Sequence, residues 1–282
     1  MSALPAPVAE ALEQPSAGRR MTVVAAGIPY SAIEWGDPNA RPLVLIHGVT
    51  ASARIWWRVG PALAASGRRV IAVDQAGHGL TGTWRGHLRF RDNAADVAAW
   101  IREAGLSRAD LQIVGHSWGA MTAAALPHAG ICPATLVLLD PPALPYERIA
   151  ALATDPSEKP YREVAEAIAS LTAANPAWSR GDVEAKAEAL VQVDAEAARA
   201  ILLENHDWDG GLADLVEAVA AGVPTWLIRA DPAAGGHLPD DRLPAFEALL
   251  GAGRIVTMRG APHAPQRTHP AETTLALLDA LG

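Results

Sequence analysis

Three short segments constrain this chain more than anything else in it: Leu43-Val44-Leu45-Ile46, Arg69-Val70-Ile71-Ala72-Val73 and Leu111-Gln112-Ile113-Val114. Each is apolar almost throughout rather than alternating, and a strand of that kind is stable only where both of its faces are covered. The stretches between them carry helical spacing. In 93–104, Ala94, Val97, Ala98 and Ile101 fall on one face, and Asp92 or Asn93 is placed to cap the start. Alternation of this sort predicts a parallel sheet with helices on both sides. Further strands are expected at 22–26, 30–35, 135–139, 225–229 and 254–258, with helices at 120–128 and 271–281. The fold class is therefore α/β, a doubly wound, mostly parallel sheet of eight strands.

The interval 143–222 differs, being rich in Ala and Glu, helical almost throughout and without a buried strand. It reads as an inserted helical cap that divides the core into a first part, 1–142, and a second part, 223–282. Asp155-Pro156, Asn175-Pro176, Gly181 and Gly210-Gly211 mark its helix boundaries. Glu184, Lys186 and Glu188 read as a solvated helix face.

Composition narrows the partners. Half of the 282 residues are apolar, enough for one large core, and no stretch free of helix breakers is long enough to span a bilayer. The formal charge of −8, from 23 Lys and Arg against 31 Asp and Glu with no basic run, argues against nucleic acid. Cys132 stands alone and cannot form an intrachain disulfide. Pro5, Pro7, Glu10, Glu13 and Pro15 interrupt the apolar segment that a secretion signal needs, so the cytoplasm is the expected location. A small molecule is the expected partner, bound by a monomer or homodimer.

The sharpest chemical signal is Gly115-His116-Ser117-Trp118-Gly119, a G-x-S-x-G pattern placed after one expected strand and before an expected helix. Glycine flanks are needed because a serine held in a strained strand-to-helix turn brings neighbouring backbone close. A hydroxyl is a weak nucleophile at neutral pH, so it needs a base, and the base needs a carboxylate to hold its tautomer. His263 in Gly260-Ala261-Pro262-His263 follows the last strand and emerges at the same sheet edge as Ser117. For the acid, Asp231 and Asp140 both sit at strand ends. Asp231 is preferred because the order Ser117, Asp231, His263 matches the order known for this motif, and Asp140 is the alternative. The amides of Trp118, at the helix start, and of Val49, in His47-Gly48-Val49-Thr50, are placed to receive developing negative charge, each worth on the order of 3 kcal/mol of barrier. His47 reads as a structural residue of that loop.

These features together resemble the α/β-hydrolase fold superfamily from about Met21 to Gly282. His47-Gly48 is similar to its oxyanion-loop signature, Asp74-Gln75-Ala76-Gly77-His78-Gly79 to its D-x-x-G-x-G turn, and 115–119 to its elbow. The resemblance implies that Asp74 and His78 are turn residues and that a helical cap belongs after the sixth strand. Relatives that open epoxides or remove halide carry an aspartate where this chain has Ser117, which disfavours those reactions and leaves ester, lactone, thioester or C–C hydrolysis.

Trp56, Trp57, Trp178 and Trp208 are candidate pocket walls, pointing to a medium-sized apolar or aromatic group. A metal site at His237, Asp240 and Asp241 lacks a second ligand set, so no metal is expected, and the chemistry needs no cofactor. The leading reading is an ester or lactone hydrolase. Its rivals are a C–C bond hydrolase of a diketone, with Arg148, Arg162 or Arg180 holding an acidic tail, and a binding protein that has lost turnover.

Overall fold

The structure is a computed structural model, and it describes residues 3–155 and 158–282. Its eight strands are β1 (Arg19–Ala25), β2 (Ile28–Trp35), β3 (Arg41–Ile46), β4 (Arg68–Val73), β5 (Gln112–His116), β6 (Thr135–Leu139), β7 (Thr225–Ala230) and β8 (Ile255–Met258). They form one sheet in the order β1-β2-β4-β3-β5-β6-β7-β8. Strands β1 and β2 pair antiparallel with each other and β2 with β4, while every pairing from β4 to β8 is parallel.

The continuous apolar runs occupy the middle of this sheet because both faces are covered. Val44, Ile46, Ile71, Ile113, Leu136 and Leu138 point to one face, and Leu43, Leu45, Val70, Val114, Val137 and Leu139 point to the other. Helix α1 (Ala6–Glu13) precedes the sheet, and α2 (Val59–Ala64) packs Val59 and Leu63 on the second face. Helix α3 (Phe90–Glu103) brings Ala94, Val97, Ala98 and Ile101 to the first face, beside α4 (Trp118–Ala125). The expected cap of α3 differs. The helix starts one turn earlier with Arg89 at its cap position, and Asn93 is buried, donating to Gln75 Oε1 at 2.6 Å and Thr122 Oγ1 at 2.7 Å.

Between β6 and β7 the chain forms α5 (Tyr146–Leu152), α6 (Val164–Ala174), α7 (Arg180–Gln192), α8 (Ala195–Glu204) and α9 (Leu212–Ala220). The expected break at Asn175-Pro176 falls just after α6, and Gly210-Gly211 precedes α9 with positive φ at both residues. Pro156 lies outside the described residues. Gly181 is not a break. It sits inside α7, where a Cβ would meet the Trp57 ring at 2.5 Å, so its role is to let an aromatic ring approach. The chain ends with α10 (Leu243–Leu250), α11 (Pro265–Thr268) and α12 (Pro270–Leu281), which lays Leu277 and Leu281 on the second face.

Candidate active site

Backbone sterics build the turn that carries Ser117. Its φ of 56° and ψ of −126° lie where a side chain is strained, at a cost of order 1–3 kcal/mol. A Cβ on Gly115 would stand 2.2 Å from the Gly119 carbonyl oxygen, and one on Gly119 would stand 2.5 Å from the carbonyl oxygens of Ile46 and His47. The two glycines of the motif are thus required by contact, in line with the spacing. Gly48 passes equally close, since its missing Cβ would lie 2.8 Å from Ser117 Cβ.

Ser117 Oγ and His263 Nε2 are 2.9 Å apart, and His263 Nδ1 is 2.6 Å from Asp140 Oδ2. With Nδ1–H donating to the carboxylate, Nε2 is left to accept from the hydroxyl. Ser117 is 7% exposed and Asp140 is fully buried. Asp140 has φ of 43°, and its carboxylate also accepts from the amides of Ala230 at 2.9 Å and His237 at 3.0 Å. Burial raises the Asp140 pKa, and those two amides oppose the rise. Burial draws the His263 imidazole below the ordinary histidine value, and Arg267 and Lys186 draw it further down, so the ring rests neutral.

The preference for Asp231 is corrected. Its side chain accepts from the amides of Ala233 at 3.0 Å and Gly260 at 2.9 Å, which hold its pKa below the usual carboxylate value, and it makes no hydrogen bond with His263. The reason lies in strand order. Strands β5 and β6 are neighbours with His116 opposite Leu139, so the next residues, Ser117 and Asp140, leave the sheet side by side. Strand β7 lies one place further away, and Asp231 turns to cap the 3₁₀ turn Pro232–Ala234. Chain order did not discriminate, because Asp140 also falls between Ser117 and His263.

The amides of Val49 and Trp118 have no acceptor among the described residues. Trp118 is the first residue of α4, where helix geometry leaves the N–H unpartnered. His47 holds the adjoining loop: Nδ1 donates to the Gly48 carbonyl at 2.8 Å and Nε2 accepts from the Gln75 amide at 3.0 Å. Both ring nitrogens are engaged, and burial lowers the pKa to about 4. Asp74 is a turn residue, accepting from the Ala53 amide at 2.7 Å and from Arg20 at 3.0 Å.

A cavity of about 470 Å³ opens above Ser117 and His263, walled by Ile149, Leu152, Leu171, Trp178, Leu202 and Trp208 from the helical insertion. Trp178 and Trp208 therefore lie at the cavity. Trp56 and Trp57 do not. Trp56 is fully buried against the second face of the sheet, and Trp57 turns away to donate to Asp182 Oδ1 at 3.0 Å. Adjacent residues in a tight turn point in different directions, which a pair of tryptophans in a sequence does not reveal. Arg148, Arg162 and Arg180 are exposed and do not line the cavity.

Three cavity residues escaped the sequence reading. His237, weighed only as a metal ligand, stacks on His263 with ring centroids 3.6 Å apart, while Asp240 pairs with Arg229 at 2.6 Å. Lys186 is 6% exposed, contrary to the solvated face expected of it, and donates to Glu158 Oε2 at 2.5 Å and to the Thr50 carbonyl at 3.1 Å. Arg267 lies in α11, four residues after His263. Its spacing from His263 was the only signal in the sequence.

Comparison with known proteins agrees with this architecture. Epoxide hydrolase B of Mycobacterium tuberculosis (strain ATCC 25618 / H37Rv) is 36% identical over 89 residues, which are 31% of this chain and only 24% of that protein. Lipase LipV of the same strain is 29% identical over 268 residues, covering 88% of this chain and 96% of the lipase. The crystal structure of E-2-(acetamidomethylene)succinate hydrolase superposes with a TM-score of 0.76 at 21% identity, over 93% of this chain and 98% of that one. The model of the alpha/beta hydrolase family matches residues 43–276, and together with the eight-stranded sheet and the turn at Ser117 that match shows that the chain belongs to the alpha/beta hydrolase family.

Proposed function

We propose that this hydrolase cleaves a carboxylic ester or lactone of a medium-sized, largely apolar or aromatic small molecule through an acyl-enzyme on Ser117. The observation that carries the reading is the unbroken contact from Ser117 Oγ through His263 to Asp140. His263 Nε2 takes the hydroxyl proton as Oγ bonds to the carbonyl carbon, and the carbonyl oxygen becomes an oxyanion facing the amides of Val49 and Trp118. Collapse expels the alcohol oxygen, which takes the proton from His263. Water then gives a proton to Nε2 as it attacks the acyl carbon, and Ser117 leaves with that proton. Asp140 holds Nδ1 and stabilises the imidazolium in both halves. No step calls on a metal or cofactor.

Helices α5–α9 act in this reading as the cap that supplies the apolar walls. Epoxide opening is disfavoured despite the partial likeness to Epoxide hydrolase B, because the elbow carries a serine. The C–C hydrolase reading loses the exposed arginines it relied on. The test is hydrolysis of p-nitrophenyl esters of increasing acyl length by wild type, Ser117→Ala and His263→Ala. Turnover by wild type that falls at least about 10³-fold in both variants is expected. Folded wild-type protein without turnover, or turnover that survives in Ser117→Ala, contradicts the proposal.

A further inference from the structure

Three cations lie at or near the cavity, and two of them have a carboxylate partner. Arg58 pairs with Asp182 at 2.8 Å, and Lys186 pairs with Glu158. Glu158 is also bonded by Thr50, and Asp182 also accepts from Trp57 and Ser179. The third cation, Arg267, has no such partner. Among the described residues its guanidinium makes no hydrogen bond or ion pair, although it lines the cavity that holds Ser117 and His263. Asp155 is a further carboxylate at the same cavity and favours the charge on Lys186. The guanidinium lies over the face of Trp178, with Cζ 4.2 Å from the ring centroid. Burial disfavours its charge, and Glu158 and Asp182, both engaged by other cations, offset this only in part.

A guanidinium offers five N–H donors in a planar fork, and stacking on an aromatic ring fixes that plane while leaving the donor edges open. Such an arrangement, partly buried and with no acceptor among the described residues, fits the two oxygens of a carboxylate. We propose that the cavity selects substrates carrying a carboxylate in addition to the bond to be cleaved, docked on the Arg267 fork, a reading that rests on hydrolysis at Ser117. Arg267, on α11, follows His263 by four residues and lines the same cavity, so a carboxylate bound there holds the substrate beside the nucleophile. Lys186 also bonds the carbonyl and hydroxyl of Thr50, next to the Val49 amide, and so connects the anion end of the cavity to the loop that faces the reacting carbonyl.

The test compares kcat/KM for the mono-p-nitrophenyl esters of glutaric and adipic acid with that for p-nitrophenyl pentanoate and hexanoate, above the condition-matched spontaneous rates. The acid esters are expected to be preferred by about tenfold or more in wild type. That ratio is expected to fall about tenfold in Arg267→Gln and Arg267→Met and to be kept in part by Arg267→Lys. Labelling of Ser117 by a fluorophosphonate in each protein separates the two readings. Labelled wild type with no preference for the acid esters overturns the carboxylate site and leaves the hydrolase standing, as does a preference unchanged in a labelled Arg267 variant. Absence of labelling in folded wild type removes both.

Discussion

Replacing Asp140 by Asn distinguishes the two acids at the strand ends and can be worked through atom by atom. Oδ2 accepts from His263 Nδ1 and the His237 amide, and Oδ1 accepts from the Ala230 amide. Asparagine supplies one oxygen. If that oxygen takes the Oδ2 position, the new NH₂ faces the Ala230 N–H, and a buried donor is left unpaired at about 1–3 kcal/mol. If it takes the Oδ1 position, the NH₂ faces His263 and favours the tautomer with its proton on Nε2, where it can no longer accept from Ser117. In both cases the imidazolium of the transition state loses its counter-charge, and kcat is expected to fall about 10⁴-fold, or about 5 kcal/mol of barrier. Thermal melting accompanies the p-nitrophenyl ester assay, with a fall of roughly 2–4 °C expected for each kcal/mol lost. Asp231→Asn, at a capping turn away from His263, is expected to change kcat by roughly twofold at most. Retention of more than about a tenth of kcat in a folded Asp140→Asn protein, or an equal loss in Asp231→Asn, refutes the reasoning.

Further outcomes follow from the same contacts. Gly119→Ala places a methyl group 2.5 Å from two carbonyl oxygens and is expected to lose about 1–3 kcal/mol of stability together with turnover, read by melting and ester assay; a fully active, equally stable variant contradicts the packing described for the elbow. His47, His78, His116, His237 and His263 all have folded pKa values lowered chiefly by burial, so below pH 6.5 the unfolded chain binds more protons. Stability is therefore expected to be full above about pH 6.5 and to fall on acidification, by about 1.4 kcal/mol per histidine per pH unit until the folded values are reached, and a melting temperature that is flat from pH 7 to pH 5 is the contrary result. The lowered pKa of His263 also places the acid limb of the kcat/KM profile below pH 6.5, whereas an ordinary histidine limb contradicts its burial. Trp208→Leu widens the cavity and is expected to move the optimum acyl length upward by one to two carbons, and an unchanged optimum places the acyl chain elsewhere.

The parts of the candidate site legible in the sequence are those encoded by local pattern. A strand buried on both faces shows as an unbroken apolar run, and the turn at Ser117 shows as glycines at fixed spacing because each excludes a specific backbone clash. His263 is legible since a histidine in a loop after the last strand emerges at the nucleophile's edge of the sheet. The acid is not encoded that way. Asp140 and Asp231 both end strands, and only the lateral neighbour relation of β5 and β6 selects between them. Lys186 was misread for a related reason: charges spaced along α7 resemble a solvated face, and only the packing of that helix over Thr50 buries one of them. His237, Lys186 and Arg267 come from three distant segments, and their meeting depends on the path of the helical insertion, which no short motif carries.

The central claim, that Ser117 is the group made nucleophilic by His263 and Asp140, is tested most directly by intact-mass and peptide-mapped analysis after fluorophosphonate treatment of wild type, Ser117→Ala, His263→Ala and Asp140→Asn. One adduct per chain, mapped to the peptide containing Ser117, absent from Ser117→Ala and slowed in the other two variants, is the result the account predicts. No adduct on folded wild type, an adduct mapped to another residue, or unchanged labelling in His263→Ala contradicts it.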